Sequence, residues 1–185
     1  MNTRLNKMNR SFAALSWTTF LLLFMGFAAV SVKAQAGKTV ILVRHAEKAA
    51  MPAGDPVLSE QGDERARKLS QMLIDTRIDH IITSQLARTI LTAQYVAEAA
   101  GLSPEIVTVS SGIREHIQAV AEAVRTRPDG DAVLVVGHSN TIPAIVGALG
   151  GSTLPDLKDE NYSTVYILTI APGIDTRTIV THFIE

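Results

Sequence analysis

From Lys38 onward the chain alternates between short β-rich runs and helix-like stretches, and this alternation restricts the fold more than any other feature. The runs are TVILV (39–43), IDHIIT (78–83), EIVTV (105–109) and AVLVV (132–136). They are nearly continuous in apolar residues, as strands buried on both faces of a parallel sheet are. Between them lies LSEQGDERARKLSQMLID, with Ser59 as a candidate N-cap and Ala66, Leu69 and Leu73 on one face. LARTILTAQYVAEAAG stops at Gly101, a residue suited to a helix C-terminus. IREHIQAVAEAV sets Ile113, Ile117, Val120, Ala121 and Val124 at helical spacing. TIPAIVGALGG puts Ile142, Ile145, Val146 and Leu149 on one face, with Pro143 in the first turn, where it is tolerated. STVYILTI and TIVTHFIE straddle APGIDTR as a terminal hairpin. The order β-α-β-α-β-α-β-α-β-β predicts one α/β domain over 38–185. It is a three-layer α/β/α sandwich with a mostly parallel central sheet and a C-terminal hairpin.

The first 36 residues stand apart. Arg4, Lys7 and Arg10 precede the apolar FLLLFMGFAAVSV, and Ala34-Gln35-Ala36 forms a small-x-small cleavage site. Basic, apolar, small is the order of a secretory signal peptide, so cleavage after Ala36 and a periplasmic or secreted domain are expected. SFAALSWTT lengthens the apolar stretch enough to keep an uncleaved membrane anchor as the alternative. The absence of cysteine rules out both a lipid-modified cysteine and a disulfide. Residues 1–36 hold four of the 17 basic residues (Arg4, Lys7, Arg10, Lys33) and none of the 18 acids, so the remainder carries a net −5. An acidic body argues against a nucleic-acid partner, and any basic cluster in it is local.

Such a cluster is expected where the strands end. In an open parallel sheet, ligands bind outside the carboxyl ends of the strands. The first strand ends V-R-H-A-E, the fourth ends G-H-S-N-T, and TSQLARTILTA follows the second with Arg88 at its helix start. Folding would gather Arg44, His45, Arg88 and His138 around one point. Strand alternation alone would send Arg44 and His45 to opposite faces, so convergence requires the strand to stop near Val43 and the chain to bend. Two guanidinium forks suit the oxygens of a phosphoryl group, and a neutral imidazole with one nitrogen held by a hydrogen bond is a competent nucleophile. The helix N-terminus near Asn140 and Thr141 would add positive potential and leave His138 a neutral hydrogen-bond donor.

VRHAEK, TSQLART…TA and VLVVGHSNTIPAIV, in this order and spacing, resemble the histidine phosphatase superfamily, also called phosphoglycerate mutase-like. The resemblance runs through nearly all of 38–185. It implies that His45 is phosphorylated and then hydrolysed, that Arg44, Arg88 and His138 form the phosphate pocket, and that no metal or organic cofactor takes part. Many members protonate the leaving oxygen with a Glu or Asp between the third strand and third helix. The only acid there is Glu115, whose plainer reading is a solvated helix residue; Glu47 and Asp55 are further candidates, and the general acid stays unassigned. The chain lacks the long insertions of phosphoglycerate mutases, which argues for phosphomonoester hydrolysis rather than mutase chemistry. The resemblance to short exported members suggests an envelope phosphate, such as the heptose phosphate of a lipopolysaccharide core, as substrate.

The remaining histidines read as structural. His80 shares a face with Ile78 and Ile82, His182 is expected to be exposed, and His116 borders the apolar face of its helix. One rival is a serine hydrolase, with Ser139 in an elbow-like Gly-His-Ser-Asn-Thr and with Asp156, Asp159 or Asp175 and then His182 in the required order. Thr141 stands where the second glycine of that motif belongs. A second rival is a non-catalytic phosphate-binding domain, motivated by the missing acid. A metal site is the weakest reading, because no H-x-x-x-H pair exists and two arginines would repel a cation.

Overall fold

The computed structural model describes residues 36–110 and 112–183. The signal-peptide expectation therefore falls outside the described residues, save for Ala36. Among the described residues no helix is long and apolar enough to cross a membrane.

Six strands form one sheet: β1 (Lys38–Arg44), β2 (His80–Thr83), β3 (Glu105–Ile106), β4 (Ala132–Gly137), β5 (Thr164–Ala171) and β6 (Ile174–His182). Their spatial order is β3-β2-β4-β1-β5-β6. The first four run parallel, β5 lies antiparallel to β1, and β6 closes the hairpin on β5. The helices are α1 (Glu60–Met72), α2 (Ala87–Ala100), α3 (Ile113–Arg125) and α4 (Thr141–Ala148).

Strand alternation splits the core in two. Val40, Leu42, Ile82, Val133 and Val135 face Val120, Val124, Ile142 and Ile145 of α3 and α4. Ile41, Val43, Ile81, Leu134 and Val136 face Leu69 of α1 and Ala93, Val96 and Ala97 of α2. Helices thus cover both faces, and β4, buried throughout, and β1, buried at all but Thr39, carry continuous apolar runs for that reason. The end signals act as their chemistry suggests. Ser59 accepts the Gly62 N–H at 3.1 Å, and Gly101 ends α2 at φ 66°, where a side chain would be strained.

Three expectations change. β3 keeps only Glu105 and Ile106, both exposed, rather than a buried 105–109. It has a neighbour on one side only, and after Val107 N–H bonds Thr83 O the chain turns off, so that Val109 N–H bonds the Gln85 side chain instead. The hairpin turns at Pro172-Gly173, with Gly173 at φ 73°, so Ile174 to Arg177 belong to β6. Ile113 is exposed, while Val120, Ala121 and Val124 carry the buried face of α3.

The strand order has one consequence for chemistry. β2, β4 and β1 are neighbours, and Arg44 is in register with Gly137. Their carboxyl ends therefore deliver Ser84, His138, Arg44 and His45 side by side.

Candidate active site

β1 does not stop near Val43; it continues through Arg44, and the bend comes one residue later. His45 N–H still bonds Gly137 O at 2.9 Å, and then Ala46 N–H bonds Thr92 Oγ1 at 2.9 Å. Thr92 in turn donates to Arg88 O at 2.7 Å, so the turn after His45 is pinned to the first turn of α2. This turn brings His45 beside its neighbours despite the alternation. Its ring centroid lies 5.4 Å from that of His138 and 6.2 Å from that of Tyr162.

His45 is 5% exposed. Burial lowers its pKa to about 4, opposed by the bond to the Ala46 carbonyl and reinforced by the charges of Arg88, Arg44 and Lys48. It is neutral at pH 7. Nδ1 lies 2.8 Å from Ala46 O, which can only accept, so Nδ1 carries the proton and Nε2 the lone pair.

Arg44, 7% exposed, is gripped along one edge. Nη1 donates to Lys158 O at 3.0 Å and Asp159 O at 2.9 Å, with Asn161 O at 3.3 Å. The Tyr162 ring stacks on the guanidinium, 4.0 Å from centroid to the central carbon. These contacts come from the loop between α4 and β5, which also places Leu157 N–H on Ser139 O. The other edge is uncommitted: Nε is buried with no hydrogen-bond partner, and Nη2 has only the Asp159 carboxylate at 4.0 Å. Nε and Nη2 form the side-on fork that matches two oxygens of an anion.

Arg88, from the first turn of α2, has the Asp55 carboxylate at 3.7 Å, and both Asp55 oxygens accept the Ala87 N–H. His138 leaves β4 with its backbone N–H on Thr141 Oγ1 at 2.9 Å, and its Nε2 is 3.2 Å from Ser84 Oγ. Burial lowers its pKa to about 3, with the charges of His45, Arg88, His116 and Arg44 adding to the effect. Among the described residues no protein group bonds its Nδ1. His116 is 3% exposed, with Nδ1 3.3 Å from Thr108 O. Burial lowers its pKa against the pull of the Thr108 and Val107 carbonyls.

The structure thus brings Arg44, His45, Arg88 and His138 together. The acids fare differently. Glu47 forks with Arg65 at 2.7–2.9 Å, and although burial works to raise its pKa, this bond prevails and holds it low. The carboxylate of Glu115 folds back against Gly112 at the start of α3. Ser139 and His182 do not meet: β1 and β5 stand between β4 and β6, a separation of about 14 Å at normal strand spacing. His182 bonds Thr164 instead, while Asp156 and Asp175 are exposed. Sequence reasoning missed Tyr162, Ser84, Thr89 and Thr92. The last three lie inside or beside the TSQLART…TA motif, and Tyr162 had no signal beyond being an aromatic in a polar loop.

Residues 40–116 match the family model of the histidine phosphatase superfamily (branch 1). This stretch, somewhat under half of the chain, holds Arg44, His45 and Arg88 and is similar to that superfamily. Phosphoserine phosphatase 1 of Hydrogenobacter thermophilus is 46% identical over 69 residues, covering 34% of this chain and 33% of that protein. A probable phosphoglycerate mutase GpmB of Erwinia tasmaniensis is 34% identical over 87 residues, covering 42% of this chain and 40% of that protein. The chain thus spans about a third to two fifths of the length of these curated relatives. Among solved structures, the protein histidine phosphatase SixA complexed with tungstate shares the fold at TM-score 0.60 and 20% identity, covering 78% of this chain and 96% of SixA. Mycobacterial glucosyl-3-phosphoglycerate phosphatase does so at TM-score 0.56 and 18% identity, covering 78% and 97%. These likenesses show the fold.

Proposed function

We propose that this chain is a phosphomonoesterase working through a phosphohistidine on His45. The observation that supports it most is the pairing of a neutral His45, whose Nε2 keeps its lone pair, with a buried Arg44 whose Nε–Nη2 edge has no hydrogen-bond partner. In the first step Nε2 attacks phosphorus in line, the P–O ester bond breaks, and the leaving oxygen takes a proton from solvent water. In the second, water attacks phosphorus, the P–N bond breaks, and inorganic phosphate departs with His45 restored. Arg44 and Arg88 stabilise the equatorial oxygens in both steps, where charge develops.

The nearby carboxylates of Glu47 and Asp55 are engaged with Arg65 and with Arg88 and the Ala87 N–H. Neither is free to protonate a leaving oxygen, so an aryl phosphate, whose leaving group needs little protonation, reports the attack of His45 most directly. The N-terminal order of basic, apolar and small residues supports export, and with it an extracytoplasmic phosphate on a small molecule or glycolipid, such as lipopolysaccharide core heptose phosphate. The scheme calls for no metal or organic cofactor.

The test is turnover of an activated aryl phosphate by the full chain, with chelator present. Turnover should survive Ser139→Ala and vanish in His45→Ala. A folded protein that binds vanadate without turnover would instead make this a phosphate-binding domain, and loss with Ser139→Ala alone would make it a serine hydrolase.

A further inference from the structure

Ser84 and Thr89 are almost wholly buried, at 1% and 0% exposure, and neither has a part in the scheme above. Their hydroxyls form a chain that ends on His138. Ser84 Oγ is 2.9 Å from Thr89 Oγ1, 3.2 Å from His138 Nε2 and 3.3 Å from the Leu86 amide nitrogen, whose N–H it accepts. Thr89 Oγ1 lies 2.8 Å from Leu86 O and 3.0 Å from Ser84 O.

Counting protons orients this chain. A carbonyl oxygen only accepts, so the two carbonyl contacts of Thr89 require its single proton. The Ser84–Thr89 contact is then a hydrogen bond only if Ser84 donates. With its proton spent, Ser84 Oγ can only accept from its other two neighbours, the Leu86 N–H and His138 Nε2. His138 Nε2 must therefore carry the hydrogen. Any other arrangement leaves buried oxygens facing each other with no proton between them, a costly outcome at near-zero exposure.

We infer that Ser84, with its proton drawn away by Thr89, is a positioning residue that holds His138 in the Nε2–H tautomer and leaves Nδ1 as the nitrogen open to the reacting group. This rests on the phosphohistidine reading for its catalytic meaning. It also reverses one expectation: in the resting protein the free nitrogen of His138 is an acceptor rather than a donor. It can take up a proton once a phosphoryl group brings negative charge beside it, and His138 then becomes a cation facing that charge.

The tautomer can be read directly on the resting full chain labelled with 15N-histidine, from two-bond nitrogen–proton correlations. The wild type should show His138 protonated at Nε2. Thr89→Val removes the acceptor for the Ser84 proton, which then turns to His138 Nε2, so that variant should move His138 toward the Nδ1–H form. Ser84→Ala should give mixed tautomers and lower kcat about 10-fold or more with KM little changed, and Ser84→Thr should restore both. An Nδ1–H wild type, or a Thr89→Val spectrum like that of the wild type, would overturn the inference. The spectra need no turnover, so failure of the phosphohistidine reading, seen as activity surviving His45→Ala, would leave them standing.

Discussion

The two ends of the central sheet carry similar residues in opposite electrostatic situations. At the amino end of the parallel strands His80 pairs with Asp131 at 2.9 Å. There Lys38, 5% exposed, bonds Arg125 O at 2.9 Å with Asp129 at 3.9 Å. Asp79 accepts the Ala132 N–H and pairs with Arg77. A cleft of about 410 Å³ between α1 and α2 opens at this end, but Leu73, Ile78, Val96 and Leu102 line it beside that same closed pair. At the carboxyl end His45 and His138 face guanidiniums rather than carboxylates, and Arg44 keeps one edge unbonded. Charges that only support a fold end up paired. A cluster in which a buried guanidinium keeps one edge without a hydrogen-bond partner, with only a distant carboxylate beside it, suits an anion, and its cost is met by the packing beneath it.

Substitutions can break this contrast, beginning with the largest effect. Removing either guanidinium of this cluster, by Arg44→Ala or Arg88→Ala, should cost on the order of a hundredfold or more in kcat/KM for an aryl phosphate. An unchanged value for Arg88→Ala would return that residue to the surface. At the other end, His80→Gln should leave kcat/KM as it is. It should lower stability by about 1 kcal/mol or less, since the pair with Asp131 is partly exposed, and a denaturant midpoint would show it.

Acid should separate the two ends further. His45 and His138 have folded pKa values near 4 and 3 against an ordinary 6.5, so the unfolded chain binds protons first as pH falls. Their contribution to stability is complete above pH 6.5 and drains away from there down through 4 and 3. The urea midpoint should fall over this range, and by less in His45→Ala. An identical slope in that variant would mean that His45 does not titrate as a buried neutral imidazole. Activity at saturating stability should hold down to about pH 4, where His45 protonates and Nε2 loses its lone pair.

What was legible in the sequence follows the same division. Continuous apolar runs marked β1 and β4, and periodicity with end signals marked α1 and α2, because burial on two faces or one stripe dictates residue type over many positions. The four donors stood out because Arg and His at the ends of apolar strands have no packing reason to be there. β3 misled because EIVTV has the right composition, yet an edge strand is limited by its single neighbour. Tyr162 was not legible, since one aromatic in GSTLPDLKDENY says nothing until the loop is seen gripping Arg44. Ser84 and Thr89 were quoted within a motif, but a hydroxyl that caps a helix and one that orients a histidine have the same letter.

The most direct test traps the covalent state. The full chain would be mixed with an activated aryl phosphate, quenched in base within one turnover, and the phosphorylated peptide sequenced by mass spectrometry. Expected is a phosphate on His45 that is lost in acid and absent from His45→Ala. Phosphate on Ser139, or single-turnover release of the aryl group with His45 unmodified throughout, would contradict the phosphohistidine mechanism.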